Sequence, residues 1–157
     1  MIPQIIENLE MNVVGISIVM KQHETHKIRA LWQQFSPRKN EITNLLNNTS
    51  IAMQIFSVNE NGEPEDSFNM WACVEVSELS EIPNEMKGFT IPKGEYLKVL
   101  HKGMNAGETY QKIMSDWLPN SGYVIDDRPH FQVMGEKYKN GSPDSEEDFY
   151  LPIKRIA

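Results

Sequence analysis

The decamer HKIRALWQQF, residues 26–35, sets Ile28, Leu31, Trp32 and Phe35 at i, i+3, i+4 and i+7, the spacing of one buried helix face. It predicts a helix over 26–35 that stops before Pro37, because the residue preceding a proline avoids helical backbone. The stretch GETYQKIMSDWLPNSGY, residues 107–123, repeats the pattern with Tyr110, Ile113, Met114 and Trp117, and Pro119 and Gly122 end it. The two patterns match position for position at an offset of 110 minus 28, or 82 residues. β-Prone runs recur at nearly that offset: NVVGISIVM and GEYLKVLHK precede the helices, while SIAMQIFSV with FNMWACVEV, and PHFQVMGEK with DFYLPIKRI, follow them. Each half therefore reads β-α-β-β. A unit with one helix covers one sheet face only, so two copies must pair to bury the rest. The expected fold class is α+β: a pseudo-twofold duplication of a β-α-β-β unit with antiparallel sheets and a ligand cleft between the halves. The expected organisation is one domain over 1–157 with internal repeats at about 10–78 and 92–156.

Composition limits the function classes. A chain of 157 residues is long enough to bury a core without metal or disulfide staples. Fifteen Lys and Arg against 22 Asp and Glu give a formal charge of −7 with no basic block, which argues against direct nucleic-acid binding. The lone Cys73 excludes an internal disulfide and suits a reducing compartment. The N-terminal apolar stretch contains Glu7 and Glu10 and has no basic region, and no run approaches membrane-spanning length, so the cytoplasm is expected and no membrane partner is. His23, His26, His101 and His130 show no metal-ligand spacing, GMNAG lacks the lysine and spacing of a phosphate loop, and no nucleophile motif is present. No cofactor is expected. The acidic run DSEED reads as a solvated hairpin loop.

Strand alternation selects the candidate site. Met70, Ala72 and Val74 share one face of the last strand in the first half, and Phe149, Leu151 and Ile153 one face in the second; these faces should lie under the helices. The opposite faces carry Trp71 and Tyr150 at matching positions. If the halves meet through those faces, the two rings line a concave apolar cleft; otherwise they are packing between the halves. In HFQVMGEKY, with Phe131 and Val133 expected to face the helix, Gln132, Met134, Glu136 and Tyr138 fall on the other side. A partly desolvated Glu136 among aromatic faces would attract lipophilic cations, or would be solvated at the strand's frayed end. The candidate ligand-binding set is Phe56, Trp71, Gln132, Met134, Glu136 and Tyr150.

The succession HKGMNAGETYQKIMSDWLPNSGY, DRPHFQVMGEKY and DFYLPIK resembles the gyrase-inhibitory-protein-like small-molecule-binding domains, which include the effector-binding domains of bacterial multidrug-responsive transcription activators. The resemblance covers essentially the whole chain. It implies two β-α-β-β units in pseudo-twofold relation with a ligand cleft between them. It also implies binding of amphipathic, aromatic or cationic drug-like molecules through cleft aromatics and a carboxylate. Regulators of the group attach the domain to a DNA-binding segment, and no such segment is seen in this sequence. Other members are hydrolases that open strained electrophilic compounds with a cleft Glu and Tyr, or inhibitors of a protein partner such as a topoisomerase. Relatives commonly carry Phe-Glu-Val where this chain has Phe131-Gln132-Val133, so the usual carboxylate is replaced by an amide. A stand-alone small-molecule-binding protein is the expectation, with the hydrolase and the inhibitor as alternatives.

Overall fold

The computed structural model describes residues 3–103, 105–139 and 142–156. Its elements are β1 (Gln4–Asn8), β2 (Met11–Lys21), α1 (His26–Phe35), β3 (Ser50–Val58), β4 (Pro64–Val76), β5 (Lys87–Ile91), β6 (Gly94–Lys102), α2 (Ala106–Lys112), β7 (Tyr123–Ile125), β8 (His130–Met134) and β9 (Glu146–Arg155). The β-α-β-β units are β2-α1-β3-β4 and β6-α2-β8-β9. The nine-stranded sheet runs β1-β6-β9-β8-β3-β4-β2-β5, with β7 paired to β9 off that path.

The halves join edge to edge, where β3 pairs antiparallel with β8. Met53 stands opposite Phe131, and the pseudo-twofold passes through this pair. Met53 in turn opposes Trp71, and Phe131 opposes Tyr150, so one row of side chains crosses four strands symmetrically. The leading strands exchange halves: β1 pairs with β6 of the second unit, and β5 pairs with β2 of the first. β1, β5 and β7 lie outside the runs whose alternation marks the two repeats. Gly15 marks the end of the β5 pairing; β2 approaches β4 so closely there that a Cβ would collide with the Ala72 carbonyl and with Cys73.

Three apolar cores follow from the strand alternation. Leu31 and Phe35 of α1 pack on Met70, Ala72 and Val74, as expected. Phe149, Leu151 and Ile153 pack with Ile113, also as expected. The third core lies on the opposite face of the sheet and spans both halves through Met53, Trp71, Cys73, Tyr96 and Phe131. The second helix departs from the regular pattern. It is α-helical only to Lys112, continues as a π-helical turn over Ile113–Trp117 and closes in a 3-10 turn at Leu118–Asn120. The wider turn shifts the helix phase, so Ile113 is buried while Met114, expected on the core face, is exposed. Among the described residues, no helix is long and apolar enough to cross a membrane.

Candidate functional site

Because the halves meet edge to edge, the helices stand side by side on one face of the continuous sheet and leave a cleft between them. It encloses about 1500 Å3. Its floor is the central strand pair. On β3, Ser50, Ala52, Gln54 and Phe56 face it, while the alternate residues Ile51, Met53 and Ile55 belong to the core on the opposite face. On β8, Gln132 and Met134 face it. One wall is α1, through Ile28, Arg29 and Trp32; the other is α2, through Tyr110 and Gln111. Ile28 and Tyr110 hold equivalent positions in the two units. Tyr138 and Glu147 complete the lining.

Of the residues singled out in the sequence, Phe56, Gln132, Met134 and Tyr138 line this cleft. Trp71 and Tyr150 do not. They occupy equivalent positions across the pseudo-twofold, but on the other face of the sheet: Trp71 packs 5.9 Å from Phe89, and Tyr150 stacks on Phe131 at 4.6 Å. The expectation failed because it joined the halves face to face. For the same reason Phe131 and Val133, expected to face a helix, point into the opposite core. Glu136 is exposed in the turn after β8 and is not among the lining residues.

The cleft carboxylate is Glu147. It lies in the run read as a solvated loop, yet Glu146, Glu147 and Asp148 begin β9 and Ser145 is buried. Asn140 and Gly141 of that loop lie outside the described residues. Glu147 has the parity of Phe149, Leu151 and Ile153, and so faces the helix side. That parity was available in the sequence; the acidic composition of the run obscured it.

Burial governs the electrostatics. It pushes the Glu147 carboxyl up to about 7. No Lys, Arg or His forms an ion pair with Glu147 among the described residues. Tyr138 is raised by burial and then by the charge of Glu147. Glu147 stands opposite His101 in the β6–β9 ladder; the buried His101 ring is held by Thr109 Oγ1 at 2.7 Å from Nδ1, and burial lowers its pKa. Beneath the other wall, the Tyr110 hydroxyl is 3.0 Å from His130 Nδ1. Burial drives Tyr110 up to about 12 and His130 down to about 4, so both are neutral at pH 7. The Phe56 ring meets His130 edge to face at 5.0 Å. The cleft thus combines aromatic faces, neutral amides, the Arg29 guanidinium on the α1 wall and one carboxylate, Glu147, that has no ion-pair partner among the described residues. No cluster of metal-ligating side chains occurs among the described residues.

The family model for integron-associated effector binding proteins matches residues 4–153. The chain belongs to this family. A search of the curated proteins found no match. Among solved structures, SAV2435 bound to tetraphenylphosphonium is 15% identical with a TM-score of 0.68, covering 98% of this chain and 94% of that one. The integron cassette protein VCH_CASS2 from the mobile metagenome of Vibrio cholerae is 12% identical with a TM-score of 0.66, covering 97% and 95%. The EcmrR C-terminal domain is 13% identical with a TM-score of 0.68, covering 98% of each chain. These structures share the fold, and membership of an effector-binding family supports small-molecule binding.

Proposed function

We propose that the cleft between α1 and α2 takes amphipathic aromatic molecules, cationic ones among them, and that Glu147 supplies the countercharge. The observation that carries this reading is the position of Glu147: a carboxylate without an ion-pair partner among the described residues, its pKa pushed up to about 7 by burial, lining a large cleft walled by Trp32, Tyr110 and Tyr138. An incoming cation replaces lost water contacts of the carboxylate with charge pairing, and each favourable ring face adds about 0.5 to 2 kcal/mol by cation–π attraction. The drug-bound relative supports the reading. Gln132 supplies an amide where the family resemblance implies a Glu, and Glu147 lines the same cleft from β9. Phe56, Gln132 and Met134 are proposed contacts on the floor. The acidic net charge and the buried free Cys73 fit a cytoplasmic protein without direct nucleic-acid contact. Titrating the protein with a planar acridinium dye tests the proposal. Affinity should rise between pH 5.5 and pH 8 as Glu147 ionises, and Glu147→Gln should remove the rise; a pH-independent affinity equal in both proteins would refute it.

The same carboxylate favours a second reading. A group with a pKa near 7 is suited to general-base chemistry, and Tyr138 lies beside it. Mass spectrometry of a strained electrophile recovered after incubation separates the readings: a binder returns it unchanged, and a hydrolase returns a water adduct that Glu147→Gln abolishes.

A further inference from the structure

The floor of the cleft carries a feature that an apolar cation does not use. Gln54 follows Met53, and Gln132 follows Phe131, so the two amides are equivalent about the pseudo-twofold that passes through the Met53–Phe131 pair. Both face the cleft. Gln54 is opposite His130 and Gln132 is opposite Ala52, which makes the glutamines diagonal neighbours, with Cα atoms roughly 7 to 8 Å apart. Ala52, opposite Gln132, also lines the cleft and adds no polar group there. Neither side-chain amide hydrogen-bonds to another side chain or to backbone among the described residues, and both residues are partly exposed, which leaves the amides open to solvent or ligand. Gln22, Gln33 and Gln111 also line the cleft. The lining thus offers several amides against a single carboxylate, Glu147.

A ligand that covers this floor displaces the water on both central amides. If its covering surface is hydrocarbon, each stranded amide weakens binding by roughly fivefold to a hundredfold. If its edge carries N–H donors, each amide oxygen accepts one and nothing is lost.

Resting on the reading of the cleft as an aromatic-cation site, we infer that its ligand is a planar heteroaromatic cation with amino groups on its edge, and that Gln54 and Gln132 read those groups as a symmetric pair. A ligand of this class lies flat between the aromatic walls, presents its positive charge toward Glu147 and turns its N–H groups to the floor. Tetraphenylphosphonium, which has no hydrogen-bonding edge, is the opposite class and should bind this chain weakly.

The test compares proflavine with acridine orange, two acridinium dyes of the same ring system and charge whose edge amines are free in the first and methylated in the second. Burial of apolar surface alone favours acridine orange, because it carries additional methyl groups. The inference predicts that proflavine binds about tenfold or more tightly, the factor one amide hydrogen bond is worth. Gln54→Met and Gln132→Met, verified as folded by circular dichroism, should each bring the ratio of the two affinities toward one. Acridine orange binding as tightly as proflavine would overturn the inference and leave the aromatic-cation reading intact. So would a preference for proflavine that both variants retain. If neither dye binds, the reading of the cleft fails, and the inference fails with it.

Discussion

Replacing Glu147 by Gln preserves the size of the side chain and removes its charge, so it separates the two consequences of burying an unpaired carboxylate. In the folded protein the group titrates near 7, against an ordinary value of 4.5. Its ionised form is therefore disfavoured by folding. The cost is absent below pH 4.5, where the carboxyl is neutral in both states; it grows as pH rises and is complete above pH 7. A shift of 7 minus 4.5, at 1.36 kcal/mol per unit, bounds the cost at about 3 kcal/mol, and solvent in the open cleft reduces it to roughly 1 to 2 kcal/mol. Glu147→Gln should therefore stabilise the unliganded protein at pH 8, raising Tm by roughly 2 to 8 °C for a chain of this size, and should have little effect at pH 5. The same substitution should weaken acridinium binding at pH 8 by about tenfold, the worth of one charge-assisted contact. Thermal melts and dye titrations at both pH values measure the two effects. A variant that is less stable at pH 8, or a Tm difference independent of pH, would refute the account of Glu147 as a desolvated, unpaired carboxylate.

Trp32→Ala should weaken binding of planar dyes by about tenfold to a hundredfold with the fold retained, because a half-buried ring on the cleft wall is removed. Trp71→Ala should act in the opposite sense. It should cost about 3 to 5 kcal/mol of stability in urea unfolding, whereas the milder Trp71→Phe should leave dye affinity unchanged, since this ring packs in the core on the far face. His130 should make the protein acid-sensitive. Its pKa is lowered from 6.5 to about 4 by burial, so its contribution is fully present above pH 6.5, falls between 6.5 and 4 and is lost below. For a side chain 6% exposed this amounts to about 3 kcal/mol, and His130→Gln should flatten the decline of Tm across that window.

The sequence carried much of the fold because the decisive patterns are local. Ile28, Leu31, Trp32 and Phe35 mark α1, and the alternation of Met70, Ala72 and Val74 marks the face beneath it. The π-helical turn was invisible, since the apolar spacing of Tyr110, Ile113, Met114 and Trp117 suits a regular helix and the widening depends on how the turn packs. The relation between the halves was also out of reach. Whether two units join edge to edge or face to face depends on which strand edges remain free, and the exchanged strands β1 and β5 cap the outer edges, while β3 and β8 meet at the centre. That choice decides which side of every strand faces the cleft. It moved Trp71 and Tyr150 to the far core, left Gln132 and Met134 in the cleft, and brought in Glu147 from a run whose acidity reads as solvated.

A crystal structure of the protein soaked with proflavine tests the central claim most directly. The account predicts the dye between α1 and α2, stacked against Trp32 or Tyr110, with its amines on Gln54 and Gln132 and Glu147 beside its charged ring. Dye bound on the opposite face, among Trp71, Phe89 and Tyr150, would contradict it.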